Sequence, residues 1–341
     1  MSTVTNKLFN RIFVTGGAGY CGSVLVPQLL DQGYKVTVYD TMFFGDAFLP
    51  KDNCDLRVVC GDIRDTAHLA AATAGHDAFV SLACISNDAS FELDEALSTS
   101  VNMHAFEPMV KVAKKAGIRR FIYASSSSVY GVSDQPDVTE DHPLVPLTLY
   151  NKYKGLCEPI LKSYCDASFT GVIFRPATVC GYAPRLRLDL SVNILTNHAV
   201  TNNKITVFGG SQLRPNLHVQ DYCDAVELLL TAPVEKIQKQ TFNVGYQNMS
   251  IMDIAKLVRR VVADEFPERP EIAIIVTTSD DNRSYHINSD KVYQVLGFRP
   301  KYSVEDAIRG LCGAFREGKI PDSMTDNRYY NIRTMKQIGA T

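Results

Sequence analysis

Several things are missing from this 341-residue chain, and each absence narrows what it does. There is no block of Lys or Arg, and the net charge is −2. That argues against nucleic acid or an anionic membrane as the main partner, while leaving room for a local basic pocket around a phosphorylated small molecule. No apolar run is long enough to cross a bilayer, and Met1–Lys7 is short and polar without an apolar signal core. The expectation is a cytoplasmic protein with no membrane partner. The nine cysteines include no CxxC pair and no Cys/His cluster at metal spacing, so neither a metal site nor a disulfide framework is expected. Internal repeats, low-complexity segments and flexible linkers are also absent.

What is present reads as an ordinary globular protein, with 45% hydrophobic and 21% charged residues and enough length for one large or two modest domains. Arg11–Thr15 reads as a buried strand running straight into Gly16-Gly17-Ala18-Gly19-Tyr20-Cys21-Gly22, and Ser23–Gln32 has helical spacing of apolar residues. Strand, glycine turn and helix together make a phosphate site. Glycines admit the backbone to a diphosphate, and the helix start offers free N–H groups and a positive dipole end. Gly16, Gly19 and Gly22 have GxxGxxG spacing, not GxGxxG.

The next strand, Lys35–Asp40, ends in a carboxylate that suits the ribose hydroxyls of an adenosine and would repel a 2′-phosphate, which favours NAD over NADP. A third strand, Leu56–Cys60, leads to Asp62 and Ile63, placed for the adenine ring. Tyr20 and Cys21 in the turn, and Leu82 and Ala83 at the end of a fourth strand (His76–Leu82), complete the expected cofactor contacts. One helix is expected over Ala96–Ala116, then a fifth strand at Arg120–Ala124 and a sixth at Phe169–Arg175. This alternation predicts an α/β fold with a doubly wound parallel sheet. Beyond it the rhythm loosens, and the expectation is a smaller, partly interleaved α/β substrate-binding domain.

The fifth strand ends in Ser125-Ser126-Ser127-Ser128, at the sheet edge where ligands bind. A helix then carries Tyr150 and Lys154, whose spacing puts both on one face. A phenol normally ionises near pH ~10, and an adjacent ammonium is expected to draw that value toward neutrality, making a general acid/base.

The order of these pieces resembles the extended short-chain dehydrogenase/reductase family, and within it the nucleotide-sugar epimerases and dehydratases. The carrying motifs are TGGAGYCGS (Thr15–Ser23), GDIRD (Gly61–Asp65), YASSSSVYG (Tyr123–Gly131), YNKYK (Tyr150–Lys154), FRPATVCGYAPR (Phe174–Arg185) and QLRPNLHVQDYCDA (Gln212–Ala225). The resemblance implies a Rossmann domain binding NAD over residues 8–180, with returns near 212–250, a substrate-binding domain over 181–320 and a tail over 321–341. It implies that Tyr150 is the acid/base and that Lys154 binds the nicotinamide ribose and lowers the Tyr pKa. Ser126 would hold the sugar C4 oxygen, with Ser125 in reserve. It places Asn193, Arg214 and Arg283 on the nucleotide-diphosphate sugar, and Asn102 beside the site; Arg187 joins them as a guanidinium suited to a diphosphate, and Asn87 lies in the loop after the fourth strand that is expected to face the sugar. His218 is given a structural role, and the tail after Glu317 is read as uninformative about chemistry. A homodimer through the Tyr-bearing helix and the helix before it is also implied.

One departure bears on the reaction. Relatives that dehydrate or decarboxylate carry acidic residues where this chain has Ser127 and Ser128. The expected activity is therefore NAD-dependent 4-epimerisation of a nucleotide-diphosphate sugar through a transient 4-keto sugar, with C4 oxidation second. The segment PRLRLDLSVN (Pro184–Asn193) is similar to a subgroup acting on sugars of surface polysaccharides, which keeps oxidation close. Asp88 leaves a 4,6-dehydratase reading open, since it offers a carboxylate from another direction. A non-catalytic NAD-binding regulator is the alternative outside enzymes.

Overall fold

The computed structural model describes residues 8–339 except 87, 134 and 279–283. Seven parallel strands form the main sheet: β1 (Arg11–Thr15), β2 (Lys35–Asp40), β3 (Leu56–Cys60), β4 (Ala78–Ser81), β5 (Arg120–Ala124), β6 (Thr170–Pro176) and, after three intervening strands, β10 (Thr241–Val244). Those three are β7 (Thr178–Cys180), β8 (Lys204–Phe208) and β9 (Leu213–His218). The order across the main sheet is β10-β6-β5-β4-β1-β2-β3. The chain thus starts in the middle and winds both ways, as the alternating pattern predicts.

Strand residues alternate between two cores. Ile12, Val14, Val36, Val38, Val80 and Ile122 pack with the helices Gly22–Asp31 and Val219–Thr231 on one face. Phe13, Tyr39, Phe79, Phe121, Tyr123 and Ile173 pack on the other with the helices Phe106–Lys115 and Leu149–Tyr164. Both faces are covered, so these strands read as continuous apolar runs rather than half-polar ones.

A separate core holds the helices Ser191–Asn202, Ile251–Glu265 and Val304–Arg316 together with Ile205 and Val207 of β8. Two small sheets accompany it. In one, β7 pairs with β9, which pairs with β11 (Gln247–Ser250); in the other, β8 pairs with β12 (Ala273–Thr277). β10 lies in the main sheet although the chain reaches it from β8 and β9, so the two parts of the molecule are woven through each other.

The helix expected over Ala96–Ala116 is broken. It runs as Glu95–Thr99, a wide π-turn at Ser100–His104, and then Phe106–Lys115. Pro108 has no N–H for the carbonyl of His104, which favours a break there. In the wide turn Asn102 accepts from the Ile85 N–H and donates to the Ile85 carbonyl, both at 2.9 Å. The turn therefore pins the loop that follows β4 to the site.

Candidate active site

A cavity of about 370 Å³ opens beyond the carboxyl ends of the main strands. Its floor is the glycine turn. Gly16 has φ +74°, and a Cβ there would lie 2.6 Å from the Ala83 nitrogen. A Cβ on Gly22 would lie 2.3 Å from the Gly17 carbonyl oxygen. Only glycine lets the turn pass so close to β4 and into the helix Gly22–Asp31. Gly19, Tyr20 and Cys21 line the same end, and burial lifts the Cys21 thiol to about 12.

Asp40 closes the next side. Its carboxylate accepts from the N–H groups of Ala18 (3.1 Å) and Met42 (2.9 Å), and burial raises its pKa despite those bonds. Asp62 and Ile63 line the cavity beside it, with Arg64 paired to Asp62 at 2.6 Å. Burial opposes the charge of Asp62, but its bonds to Arg64 outweigh burial and lower its pKa. Leu82 and Ala83 form the wall below. A glycine cradle at a helix start, with a carboxylate at the end of the second strand, fits a dinucleotide with free ribose hydroxyls.

The other end of the cavity holds Ser126, Tyr150 and Lys154. The helix Leu149–Tyr164 is started by Thr148, whose hydroxyl accepts from the Asn151 N–H. Lys154, 4% exposed, donates to the Ala124 carbonyl at 2.7 Å, and its ammonium lies 5.2 Å from the centre of the Tyr123 ring. One turn on, Glu158 accepts from Ser125 Oγ at 2.7 Å and forms a two-bond ion pair with Arg175. Ser125 is thus spent on the scaffold. Ser126 instead shares a 2.7 Å bond with Ser128 Oγ, which also donates to Asn151 Oδ1.

Tyr150 departs from expectation. Its surface is only part-covered, yet it is enclosed by the cleft, and that burial raises its pKa well above 10. Cys84, Asp88 and Tyr285 add to the rise, and Arg187 opposes it. Desolvation of the phenolate is the largest influence, and Arg187 is the cation that works against it.

The residues expected on the substrate are scattered. Arg187 lines the cavity, but its fork is held by Asp189 (2.9 and 3.2 Å), and its remaining arm donates to Ser86 Oγ at 3.0 Å. Arg214 lines an adjoining recess of about 90 Å³ shared with Asp88, Ser128, Asn151 and Tyr285. Asn193 is not brought to the cavity. It is fully buried, accepting from the Gly181 N–H and donating to the Arg187 carbonyl and Tyr20 hydroxyl. Asn87 and Arg283 lie outside the described residues. His218 caps the helix Val219–Thr231, accepting from the Gln220 N–H.

The tail is not inert. Helix Asn331–Ile338 brings Asn331 and Met335 to the cavity wall, and Asn331 bonds Ser86 at 3.1 Å and Arg185 at 2.6 Å. No motif marks these two residues. Arg185, Phe44 and Tyr285 also line the cavity; of these, only Arg185 lay within a quoted motif.

Comparison with known proteins agrees with this geometry. The family model described as "NAD dependent epimerase/dehydratase family" matches residues 12–245. The chain belongs to that family. NAD is its cofactor, and the glycine cradle and Asp40 are the parts of this structure that fit it. Over 317 residues the chain is 26% identical to a UDP-glucose 4-epimerase of Rhizobium meliloti (strain 1021), covering 86% of this chain and 94% of that protein. Over 347 residues it is 25% identical to a dTDP-glucose 4,6-dehydratase of Streptomyces niveus, covering 92% and 97%. The crystal structure of DesIV, a dTDP-glucose 4,6-dehydratase from Streptomyces venezuelae with NAD bound, shares the fold. Its TM-score is 0.80 at 24% identity, with 91% of this chain and 98% of that one covered. Family members of both kinds thus match at nearly equal identity, and the family assignment supports a nucleotide-sugar epimerase/dehydratase without choosing between them. Among the described residues, no helix is long and apolar enough to cross a membrane.

Proposed function

We propose that the chain is an NAD-dependent nucleotide-diphosphate-sugar 4-epimerase acting through a transient 4-keto sugar. The observation that carries this reading is the neutral hydrogen-bond chain Ser126–Ser128–Asn151 at the sugar end. Dehydration needs a base for the C5 proton and an acid for the C6 hydroxyl, and hydroxyls and an amide supply neither near neutral pH. The glycine turn and Asp40 would hold NAD, which when bound would supply a reversible hydride acceptor and positive charge near the catalytic end of the cavity.

The chain's own residues do the rest. Tyr150 takes the O4 proton as hydride leaves and gives one back on return. Ser126 holds O4, and Lys154, fixed by the Ala124 carbonyl, stabilises the phenolate. Arg214 is the proposed partner of the diphosphate by charge-assisted bonding, a reading supported by its position in the recess beside the catalytic end. Arg187 balances Tyr150 electrostatically, and its pairing with Asp189 leaves it a weaker candidate for the diphosphate. A cytoplasmic homodimer joined through the helices Leu149–Tyr164 and Phe106–Lys115 completes the proposal, with exposed Leu156 on the first of them as support.

A second reading is favoured by Asp88, which lines both the cavity and the recess and accepts from Thr148. It offers a 4,6-dehydratase one carboxylate. The test is incubation with UDP-, GDP-, CDP- and dTDP-sugars in deuterium oxide, with products read by NMR. The expected product is the C4 epimer without deuterium at C5. Deuterium at C5 would replace the proposal with the dehydratase reading, and a released 4-keto sugar with accumulating NADH would replace it with C4 oxidation. No turnover of any of them would sink the enzyme reading.

A further inference from the structure

We propose that Arg185 binds the diphosphate of the dinucleotide, and that the C-terminal helix positions it there. The inference rests on the dinucleotide site alone and not on the epimerase reading. Arg185 is 2% exposed yet lines the cavity. Its guanidinium lies 3.7 Å from the centre of the Phe44 ring, in the loop after β2, and one arm donates to Asn331 Oδ1 at 2.6 Å. Its backbone N–H donates to Ser23 Oγ at 3.2 Å, which ties it to the first turn of the phosphate-binding helix.

The cation is underserved. Among the described residues it makes no ion pair, and its buried Nε has no hydrogen-bond partner. The nearby charges are mixed: Arg187 opposes it, while Asp189 and Asp40 favour it from a distance, and burial with Arg187 draws its pKa down to about 9. Leaving a guanidinium buried without an anion is costly. A diphosphate at the start of the helix Gly22–Asp31 supplies that anion, and Arg geometry suits two phosphate oxygens at once. Phe44 and Asn331 hold the planar group from two sides, so less side-chain freedom is lost on binding.

The test uses the full chain stripped of nucleotide, titrated calorimetrically with ADP and with adenosine, which shares the ADP base and ribose but lacks the phosphates. In R185Q, ADP affinity should fall about 10- to 100-fold while adenosine affinity stays within about twofold, the range for a lost charge-assisted bond. The purified variant should also release less NAD on denaturation. N331A should move the same ratio in the same direction by a smaller factor. If ADP and adenosine weaken equally, or neither weakens, Arg185 is a packing residue and the proposal is overturned. Should R185Q not fold, R185K decides: it keeps the charge but loses the fork, so the ADP-to-adenosine ratio should drop several-fold, and an unchanged ratio overturns the assignment.

Discussion

Replacing Glu158 with Gln tests whether the helix that carries Tyr150 and Lys154 is anchored by charge. Glu158 and Arg175 pair at 2.6 Å with side chains only 4% and 5% exposed. Arg175 also donates to the Tyr130 hydroxyl, and Glu158 accepts from Ser125. Glu158 lies one turn beyond Lys154 and two beyond Tyr150, so all three share a helix face. Gln keeps the shape but leaves the guanidinium buried without a counter-charge. Breaking a buried pair in this way costs about 3–5 kcal/mol. For a chain of 341 residues the unfolding entropy is roughly 0.7 kcal/mol/K, so Tm should fall by about 4–7 °C in differential scanning calorimetry. A double-mutant cycle of Glu158→Leu and Arg175→Met isolates the pair. Each single change strands a buried charge and the double does not, so the double should be less destabilised than the sum by more than about 2 kcal/mol. A Tm shift under about 1 °C for E158Q, or an additive cycle, would refute the anchoring argument.

Two further outcomes follow from the site and the core. Tyr150→Phe should lower turnover by about 10²- to 10⁴-fold while leaving bound NAD unchanged on denaturation, and undiminished activity would remove Tyr150 from the chemistry. His76 bonds the Thr73 carbonyl at 2.9 Å and the Thr37 hydroxyl at 2.8 Å, and burial holds its imidazole below the usual range. The folded form then binds fewer protons than the unfolded one, so its contribution is present above about pH 6.5 and is lost as pH falls toward the folded value. The drop in urea midpoint from pH 7.5 to 5.5 should therefore be smaller in His76→Gln than in the parent, and an equal drop would contradict this.

The cofactor half of the site was legible because its signals are local. A glycine turn between strand and helix, and a carboxylate ending the second strand, are fixed by neighbours in sequence. So is the shared face of Tyr150 and Lys154. The strands and their parallel order were equally readable, since runs such as Ile12–Val14 and Phe79–Val80 alternate between two buried faces. The break at Ser100–His104 was not legible, because it depends on Asn102 meeting Ile85 across the loop.

By itself, then, the sequence determined the sheet, the phosphate turn and the identities of the catalytic candidates, all set by short-range spacing and periodicity. Tertiary structure decided the rest, because it turned on groups far apart in the chain. Ser125 and Ser126 both line the cavity, but the Ser125 hydroxyl is committed to Glu158, which Arg175 holds, while that of Ser126 bonds Ser128. Asn193 is drawn into a clamp on Gly181 and Tyr20. Asn331 arrives from the tail to hold Arg185. Burial in the cleft raises the pKa of Tyr150 and Arg187 opposes the rise, a balance that no spacing between two residues encodes.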